Sequence, residues 1–213
     1  MKRPQKLLGS GRAMERFLLD SSRVCLHVVD VQTRLMAKMA ERQTVIDSIA
    51  LLVQSFGILD IPILGNSQYR EKLGPYVAEL EVLLQDIPCF DKISFDATKD
   101  PATIAYLQGL RPRLQTVVLV GVETHICVYQ TALGLLQQGL SVWVVSDGVA
   151  ARSKEDHRVA LRRLQGLGVS VGSSEMLVYE LLGRADTTAF KDILPYILER
   201  DTKKRERPSS VSL

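Results

Sequence analysis

Short runs of apolar, mostly β-branched residues alternate along this chain with longer segments in which apolar residues recur at helical spacing. The clearest runs cover residues 23–29, 116–121 and 141–146, and most of their residues are apolar without a regular alternation with polar ones. Continuous apolar runs are typical of parallel strands that are covered on both faces. Repeated strand–helix units connect by right-handed crossovers. The pattern therefore predicts an α/β fold, a three-layer sandwich with a mostly parallel central sheet of about six strands and helices on both faces.

The same pattern gives the expected elements and the domain organisation. We predict strands over residues 23–29, 61–64, 89–93, 116–121, 141–146 and 169–172. We predict helices over residues 44–56, 77–84, 102–110, 124–138, 153–165, 175–182 and 188–198, with Gly57 ending the first and Ser153 capping the fifth. The domain prediction is a loose basic segment over residues 1–20, one folded domain over residues 21–199, and a disordered charged tail over residues 200–213, which is too polar to pack.

Composition predicts a folded, soluble protein. Of the 213 residues, 46% are apolar and 24% are charged, which is ordinary globular usage and excludes a disordered chain. No apolar run approaches the roughly 18 residues that a membrane-spanning helix needs. The net charge of +3 comes from the two ends of the chain, because the remaining body is net acidic. A nucleic-acid face needs basic residues gathered on folded surface, so nucleic-acid binding is disfavoured.

The cysteines indicate the compartment. Cys25, Cys89 and Cys127 are odd in number and lack a CxxC spacing, and no apolar signal segment with a small-residue cleavage site precedes the first strand. This usage favours a reducing compartment, and we expect the cytoplasm. The basic start of the chain, which has no acidic residue before Glu15, leaves a mitochondrial location open.

Several common site motifs are missing from the sequence. The chain has no GxxxxGK[ST], GxSxG or HExxH motif, and Gly9-Ser-Gly11 lacks the preceding strand of a dinucleotide fingerprint. Nucleotide-binding, serine-hydrolase and zincin interpretations are therefore excluded. His27, His125 and His157 are too scattered to suggest a metal cluster, and we predict neither a metal site nor a cofactor.

Three residues could carry chemistry, because ligands of an open parallel sheet bind beyond the carboxyl ends of its strands. Asp30 ends the first predicted strand, Lys92 ends the third, and Cys127 lies in the first turn of the helix after the fourth. The positive end of that helix and a nearby ammonium group would favour a Cys127 thiolate. The ordinary alternatives stay open: a loop-capping aspartate, a solvated lysine and a small buried thiol.

A thiol nucleophile also needs a base. His125 is the obvious candidate, but residues two apart on a helix point in different directions. We therefore expect Asp30 to take the proton of Cys127 and to pass it later to a leaving amine.

Longer motifs around these residues add a family resemblance. Residues 28–32 (VVDVQ) and residues 121–132 (GVETHICVYQTA) resemble two motifs of the isochorismatase-like cysteine hydrolases. These motifs are V-x-D-x-Q in the first strand and G-[VI]-x-T-x-x-C-V-x-x-T-A in the nucleophile segment. Residues 68–74 and 92–95, with 151–153 and 173–175, are similar to further segments of the isochorismatase domain-containing protein branch. The resemblance covers about residues 22–198.

The resemblance implies a catalytic triad of Asp30, Lys92 and Cys127. It also implies a cis peptide bond between Val122 and Glu123, with the backbone N–H groups of Glu123 and Cys127 facing an oxyanion. Gln68, in the segment that resembles the branch's substrate loop, is an expected substrate-binding residue. We refer to Asp30, Lys92 and Cys127 below as the triad.

Departures from the family pattern limit what the resemblance implies. Nicotinamidase relatives carry an aspartate and several histidines that hold a metal after the second strand, whereas residues 65–72 contain no histidine. A metal-bound pyridine carboxamide substrate is therefore not expected. Asn66, Ser67, Arg70 and Asp96 replace the residues usual in the branch, so the substrate of the relatives does not transfer to this chain.

Together these observations lead to a main hypothesis and its alternatives. The main hypothesis is a metal-independent hydrolase of a small amide or related acyl compound that works through a cysteine thioester intermediate. One alternative is an isochorismatase-like vinyl-ether hydrolase, in which an aspartate protonates the substrate and the thiol is not needed. Another is a non-catalytic oligomeric scaffold, and a ribonuclease-like role is a distant third. We expect a small-molecule substrate, a homo-oligomer and no membrane association.

Overall fold

The computed structural model describes residues 18–39 and 41–206. Its six strands are all parallel and lie in the order β3-β2-β1-β4-β5-β6. The strands are β1 (Val24–Val29), β2 (Ile63–Gln68), β3 (Cys89–Lys92), β4 (Thr116–Val122), β5 (Ser141–Ala150) and β6 (Ser170–Gly172). The predicted α/β fold is confirmed, and the sheet formed by the described residues is parallel throughout.

Helices cover both faces of this sheet. Those given by the structure are α1 (Thr33–Met36), α2 (Arg42–Ile58), α3 (Arg70–Leu73), α4 (Ala78–Leu84), α5 (Pro101–Gly109), α6 (Tyr129–Gln137), α7 (Lys154–Gln165), α8 (Ser174–Leu182) and α9 (Thr188–Glu206). One core contains α2, α4, α8 and α9, and the other contains α5, α6 and α7. Successive residues of a strand face opposite sides, so Leu26 and Val28 enter the first core while Cys25 and Val29 enter the second. The predicted three layers are therefore present.

Two predicted strands are longer in the structure. β2 continues past Leu64 to Gln68 because the polar residues after Leu64 pair with β3 and with β1. β5 continues to Ala150, and its pairing with β4 is irregular between Leu119 and Gly121. Apolar continuity is a poor guide to such strand ends, because backbone pairing buries their polar side chains.

Strand β4 approaches β1 closely beside the first predicted site residue. Gly121 has φ +112°, and a Cβ atom there would lie 1.9 Å from the carbonyl oxygen of Val29. Only glycine allows this approach. Asp30, directly after Val29, has φ 54°, in the left-handed region. Its backbone N–H donates to the carbonyl oxygen of Asn66 at 2.9 Å, which ties the end of β1 to β2.

The predicted boundary at residue 200 is wrong for residues 200–206, because α9 continues to Glu206. Arg200 holds this part of the helix by donating to Ser174 Oγ and to Glu175. Lys203 also pairs with Glu199 one turn away, at 2.6 Å. Residues 1–17 and 207–213, which carry most of the predicted loose ends, lie outside the described residues. In the described part of the chain, no helix combines the length and the apolar character needed to cross a bilayer.

Candidate active site

The predicted site residues meet at the carboxyl edge of the sheet. Asp30 follows β1, Gln68 ends β2, Lys92 ends β3 and Glu123 follows β4. These four strands are neighbours in the order β3-β2-β1-β4. Because the strands are parallel, their carboxyl ends lie side by side, and residues distant in sequence come into contact there.

Asp30 and Lys92 form a buried ion pair. Lys92 Nζ lies 2.7 Å from Asp30 Oδ2, and both side chains are 0% exposed. A second bond at 2.7 Å joins Lys92 Nζ to Gln68 Oε1. Charges this deeply buried need close partners, because the lost hydration is otherwise uncompensated. The pair is therefore held in one geometry.

Gln68 holds the lysine at the sheet edge. Its Nε2 donates to the carbonyl oxygen of Ile93 at 2.6 Å, while its Oε1 accepts from Lys92. Both ends of the side-chain amide are thus engaged inside the protein. The structure gives Gln68 a positioning contact with Lys92, and the substrate-binding role stays a prediction.

Gln32 supports the site through hydrogen bonds, a role that was not predicted from the sequence. Its Oε1 accepts from the backbone N–H of Gln68 at 2.7 Å, and its Nε2 donates to the carbonyl oxygen of Gly74 at 2.8 Å. Gln32 is completely buried. The signal was available, since Gln32 is the final residue of the VVDVQ motif.

Cys127 lies in a π-helical turn, Thr124–Val128, between β4 and α6; we refer to it below as the π turn. The residue is buried in the second core. Burial is the main cause that raises the pKa of the Cys127 thiol to about 12, and the charge of Asp30 adds to it. Lys92 and the backbone N–H of Glu123 act in the opposite direction but do not offset burial. The expected lowering of this pKa is therefore wrong, because burial keeps the thiol protonated at neutral pH.

Asp30 is suited to remove that proton. Burial is the largest cause that raises the pKa of its carboxyl, and the ammonium group of Lys92 opposes the shift. Oδ2 accepts a hydrogen bond from Lys92, whereas the buried Oδ1 accepts none from the described N–H and O–H groups. The Cys127 thiol is close enough to lower the pKa of Asp30. A carboxyl with a raised pKa and a free oxygen beside a protonated thiol has the properties of a general base.

Val122 and Glu123 are joined by the cis peptide bond that the resemblance implied. The side chain of Val122 is buried in the first core. The carboxylate of Glu123 faces Arg152, whose backbone N–H and Nε both donate to Glu123 Oε2 at 3.0 Å. Any contact of these two residues with a substrate would therefore come from their backbone. Their oxyanion role stays a prediction.

The three histidines are not gathered at one place. His27 is buried and its Nε2 lies 2.5 Å from Asn66 Oδ1, and burial lowers the pKa of its imidazole to about 4. His157 lies on α7, where it contacts Thr124, and His125 lies 4.0 Å from Asp156 of the same helix. Among residues 18–39 and 41–206, no group of three or more His, Cys, Asp or Glu side chains could hold a metal ion.

The residues that depart from the family pattern make internal contacts. Asn66 bonds His27 and also donates to Thr103 at 2.9 Å. The hydroxyl of Ser67 and the backbone N–H of Arg70 both donate to Asp91 Oδ1. Asp96 accepts from the backbone N–H of Thr98 at 2.8 Å. The residues that differ from the family pattern therefore take part in the hydrogen bonds that support the sheet edge at the site.

Exposed apolar side chains follow the two strands that end at Gln68 and Lys92. Tyr69 follows β2 with 40% of its surface exposed, and Ile93 and Phe95 follow β3 with 67% and 52% exposed. The backbone N–H of Tyr69 donates to the carbonyl oxygen of Lys92 at 2.9 Å, so these apolar residues are connected directly to the triad.

Comparisons with known proteins place the chain among related sequences. A family model of the isochorismatase domain matches residues 24–176. Isochorismatase domain-containing protein 2A of Mus musculus is 37% identical over 88% of this chain and 87% of its own length. The secreted isochorismatase effector Isc1 of Phytophthora sojae is 34% identical over 82% of this chain and 84% of its own length.

Two solved structures have a similar fold. The MAR1 ribonuclease from Caenorhabditis elegans superposes with a TM-score of 0.80 and is 31% identical, covering 92% of this chain and 98% of that one. The YcaC gene product from Escherichia coli, described as an octameric hydrolase of unknown specificity, gives a TM-score of 0.76 at 19% identity. That match covers 89% of this chain and 98% of the other.

Proposed function

The chain belongs to the isochorismatase family, and from that premise we propose that it is a metal-independent hydrolase of a small amide or related acyl compound acting through a Cys127 thioester. The observation that carries the proposal is the contact of a buried Asp30–Lys92 pair with the buried Cys127 thiol. A buried ion pair contributes little or nothing to stability compared with apolar residues of similar volume. Chemistry explains its presence better than stability does, which argues against a non-catalytic scaffold.

The proposed reaction has two halves. In the first, Asp30 takes the proton of Cys127 as Sγ bonds to the substrate carbonyl carbon. The C–N or C–O bond then breaks, and Asp30 returns the proton to the leaving amine or alcohol. In the second, a water molecule gives a proton to Asp30 and attacks the thioester carbon. The C–S bond breaks, the acid leaves, and the proton returns to Cys127.

The triad residues have separate tasks in this scheme. Because burial raises the pKa of the resting thiol to about 12, the nucleophile forms only as its proton passes to Asp30. Lys92 keeps Asp30 oriented and would stabilise the thiolate as it forms. The backbone N–H groups of Glu123 and Cys127 would hold the oxyanion, and each such donor contributes about 10²- to 10³-fold to the rate.

Two alternatives have a specific observation in their favour. The raised pKa of Asp30 suits an acid that protonates a vinyl ether, the route that does not need Cys127. The 31% identical structure from Caenorhabditis elegans is named a ribonuclease. The excess positive charge of this chain lies in its two ends, however, and not around the triad.

One experiment separates these possibilities. The purified protein is incubated with a panel of small amides, esters and isochorismate and with a single-stranded RNA oligomer, in the presence of EDTA. Intact mass is recorded on quenched samples. Acyl adducts on Cys127 with turnover of the same amide or ester support the proposal. Turnover of isochorismate without an adduct, or cleavage of RNA alone, would replace it, and loss of activity in EDTA would contradict metal independence.

Replacing Asp30 with asparagine should separate thiol reactivity from acylation. The Asp30 charge raises the pKa of Cys127, so Asp30→Asn should lower that pKa and speed iodoacetamide alkylation of Cys127 at pH 9. Acylation by panel substrates should be lost, because the base is gone. Peptide mapping measures the first and intact mass the second. Asp86→Asn, which changes an exposed carboxylate just after α4, is the control, and wild-type acylation by Asp30→Asn would contradict the role of the base.

We also propose that the protein is a homo-oligomer. Apolar side chains such as Ile93 and Phe95 are exposed beside the triad, and the YcaC protein of Escherichia coli is described as octameric. Light scattering should therefore give a multiple of the 23.7 kDa chain mass. A mass of one chain across micromolar concentrations would contradict this.

A reducing compartment, the cytoplasm, is the location we propose. Cys25, Cys89 and Cys127 are all free thiols, which supports such a compartment. Fractionation of cells that express the full chain tests the proposal, and recovery in mitochondria or in the medium would overturn it.

A further inference from the structure

Glu123, just before the π turn, and the first two residues of the turn contact one segment that follows β5. Glu123 Oε2 accepts two bonds from Arg152, and Thr124 Oγ1 lies 2.9 Å from His157 Nδ1. His125 Nε2 lies 4.0 Å from Asp156 Oδ2. Arg152 precedes α7, and the other two partners are in its first turns. This segment therefore fixes the start of the turn that carries Cys127.

The Thr124–His157 bond is the most enclosed of these contacts. Thr124 is completely buried and His157 is half-buried, whereas 54% of the Arg152 side chain is exposed. Burial lowers the pKa of His157, so its imidazole is neutral at neutral pH, and a hydrogen bond between two neutral groups joins its Nδ1 to the Thr124 hydroxyl. A bond between neutral groups that is shielded from water keeps its geometry better than an exposed ion pair does.

A shift at Thr124 would reach the reacting atom. Thr124 follows Glu123, whose backbone N–H is directed at the Cys127 sulfur, and it lies one turn before Cys127 in the π turn. The Cys127 thiol also interacts with the carboxyl group of Asp30. Displacement of the turn by a fraction of an ångström would change the distance between the thiol and the carboxyl that takes its proton, and such changes affect rates strongly.

We propose that His157 is a positioning residue for Cys127, acting through the hydroxyl of Thr124. This inference rests on the proposed role of Cys127. His157 does not contact Cys127 or Asp30 by any bond of the structure, so it transfers no proton and touches no reacting atom. Its effect is on the orientation of the thiol and of the backbone N–H beside it.

Stability of the fold depends little on His157. Helix α7 is fixed independently by Ser153, whose Oγ accepts from the backbone N–H of Asp156, and by Ala160 and Leu164, which are buried. Removal of the imidazole should therefore leave the domain folded. Asparagine is the conservative replacement, because its side-chain amide can place an oxygen or an NH₂ group close to the position of His157 Nδ1.

The test compares His157→Ala, His157→Asn and Arg158→Ala, an exposed neighbour on α7 that bonds only Glu155 in the described structure. With an acyl substrate from the panel, His157→Ala should lower kcat by about 10- to 100-fold with KM nearly unchanged. His157→Asn should recover most of the loss, and Arg158→Ala should match the wild type. Thr124→Val should show the same loss, and its combination with His157→Ala should be clearly less than additive.

Alkylation gives a readout that does not depend on the substrate. A loosened π turn should expose the Cys127 thiol, so iodoacetamide should modify Cys127 several-fold faster in His157→Ala than in the wild type, while buried Cys25 is unchanged. Equal acceleration at Cys25 would mean general destabilisation and would overturn the proposal. Acylation and alkylation of His157→Ala at wild-type rates would also overturn the proposal. The thioester formed in that variant would still support the proposed function. If instead Cys127→Ala retained turnover, the proposed function would fail, and the alkylation result alone would decide whether His157 holds the thiol in place.

Discussion

Cys127→Ala should abolish turnover of any substrate that acylates the wild-type protein. Loss of a nucleophile that acts with its base and its orienting group typically lowers kcat by at least about 10⁴-fold, because the remaining residues cannot open the covalent route. The melting temperature should change by only a few degrees, since replacing the thiol with hydrogen leaves a small cavity. Steady-state kinetics and thermal unfolding on the same preparation measure the two effects.

Cys89→Ala is the matched control for this variant. Cys89 is an exposed thiol at the start of β3, on the same sheet but away from the carboxyl edge. It should keep wild-type turnover and wild-type acylation. Retained turnover in Cys127→Ala would show the covalent mechanism to be wrong and would make protonation by Asp30 the leading route.

The layers of the fold could be predicted because strands covered on both faces have no polar side to display. β1 and β4 consist of apolar residues apart from His27 and Thr116, and their bounds agree with prediction to within a residue. The prediction for β2 ended too early, at residue 64. The polar residues from Asn66 to Gln68 belong to the strand because pairing with neighbouring strands buries them. The sheet order could not be predicted, since it depends on which distant strands pair.

Asp30, Lys92 and Cys127 could be selected as candidates because strand ends of a parallel sheet converge, and the family resemblance implied that they act together. The pKa of Cys127 was predicted in the wrong direction for a physical reason. Sequence indicates the helix start and the nearby lysine, but not how deeply the thiol is packed, and burial has the largest effect. The contacts of Gln32 and His157 were missed because each joins residues more than 30 positions apart.

Lys92→Met should reduce the free energy of unfolding by about 3–5 kcal/mol, the usual effect of removing one partner of a buried ion pair. Methionine has a similar length, so little of the loss would come from a cavity. The cost comes from Asp30, whose side chain is completely buried and would keep a charge without its partner. Urea unfolding followed by circular dichroism measures the change.

The double variant Asp30→Asn/Lys92→Met is the control that identifies the cause. Asparagine tolerates the left-handed backbone of Asp30, and with both charges gone the stability should return close to that of the wild type. A double variant as unstable as Lys92→Met would show that packing of the lysine stem, and not the uncompensated charge, is responsible.

The loss in Lys92→Met should also depend on pH. Burial raises the pKa of Asp30 and Lys92 opposes that shift, so removing Lys92 raises the pKa further above its unfolded value. The folded variant then binds a proton more tightly than the unfolded chain does, which stabilises it at low pH. This stability is lost as pH rises through the raised pKa, by up to about 1.4 kcal/mol per pH unit. The free energy of unfolding of Lys92→Met should therefore lie closer to that of the double variant at pH 5 than at pH 8. An equal difference at both values would mean that Asp30 does not titrate in this range in the folded variant.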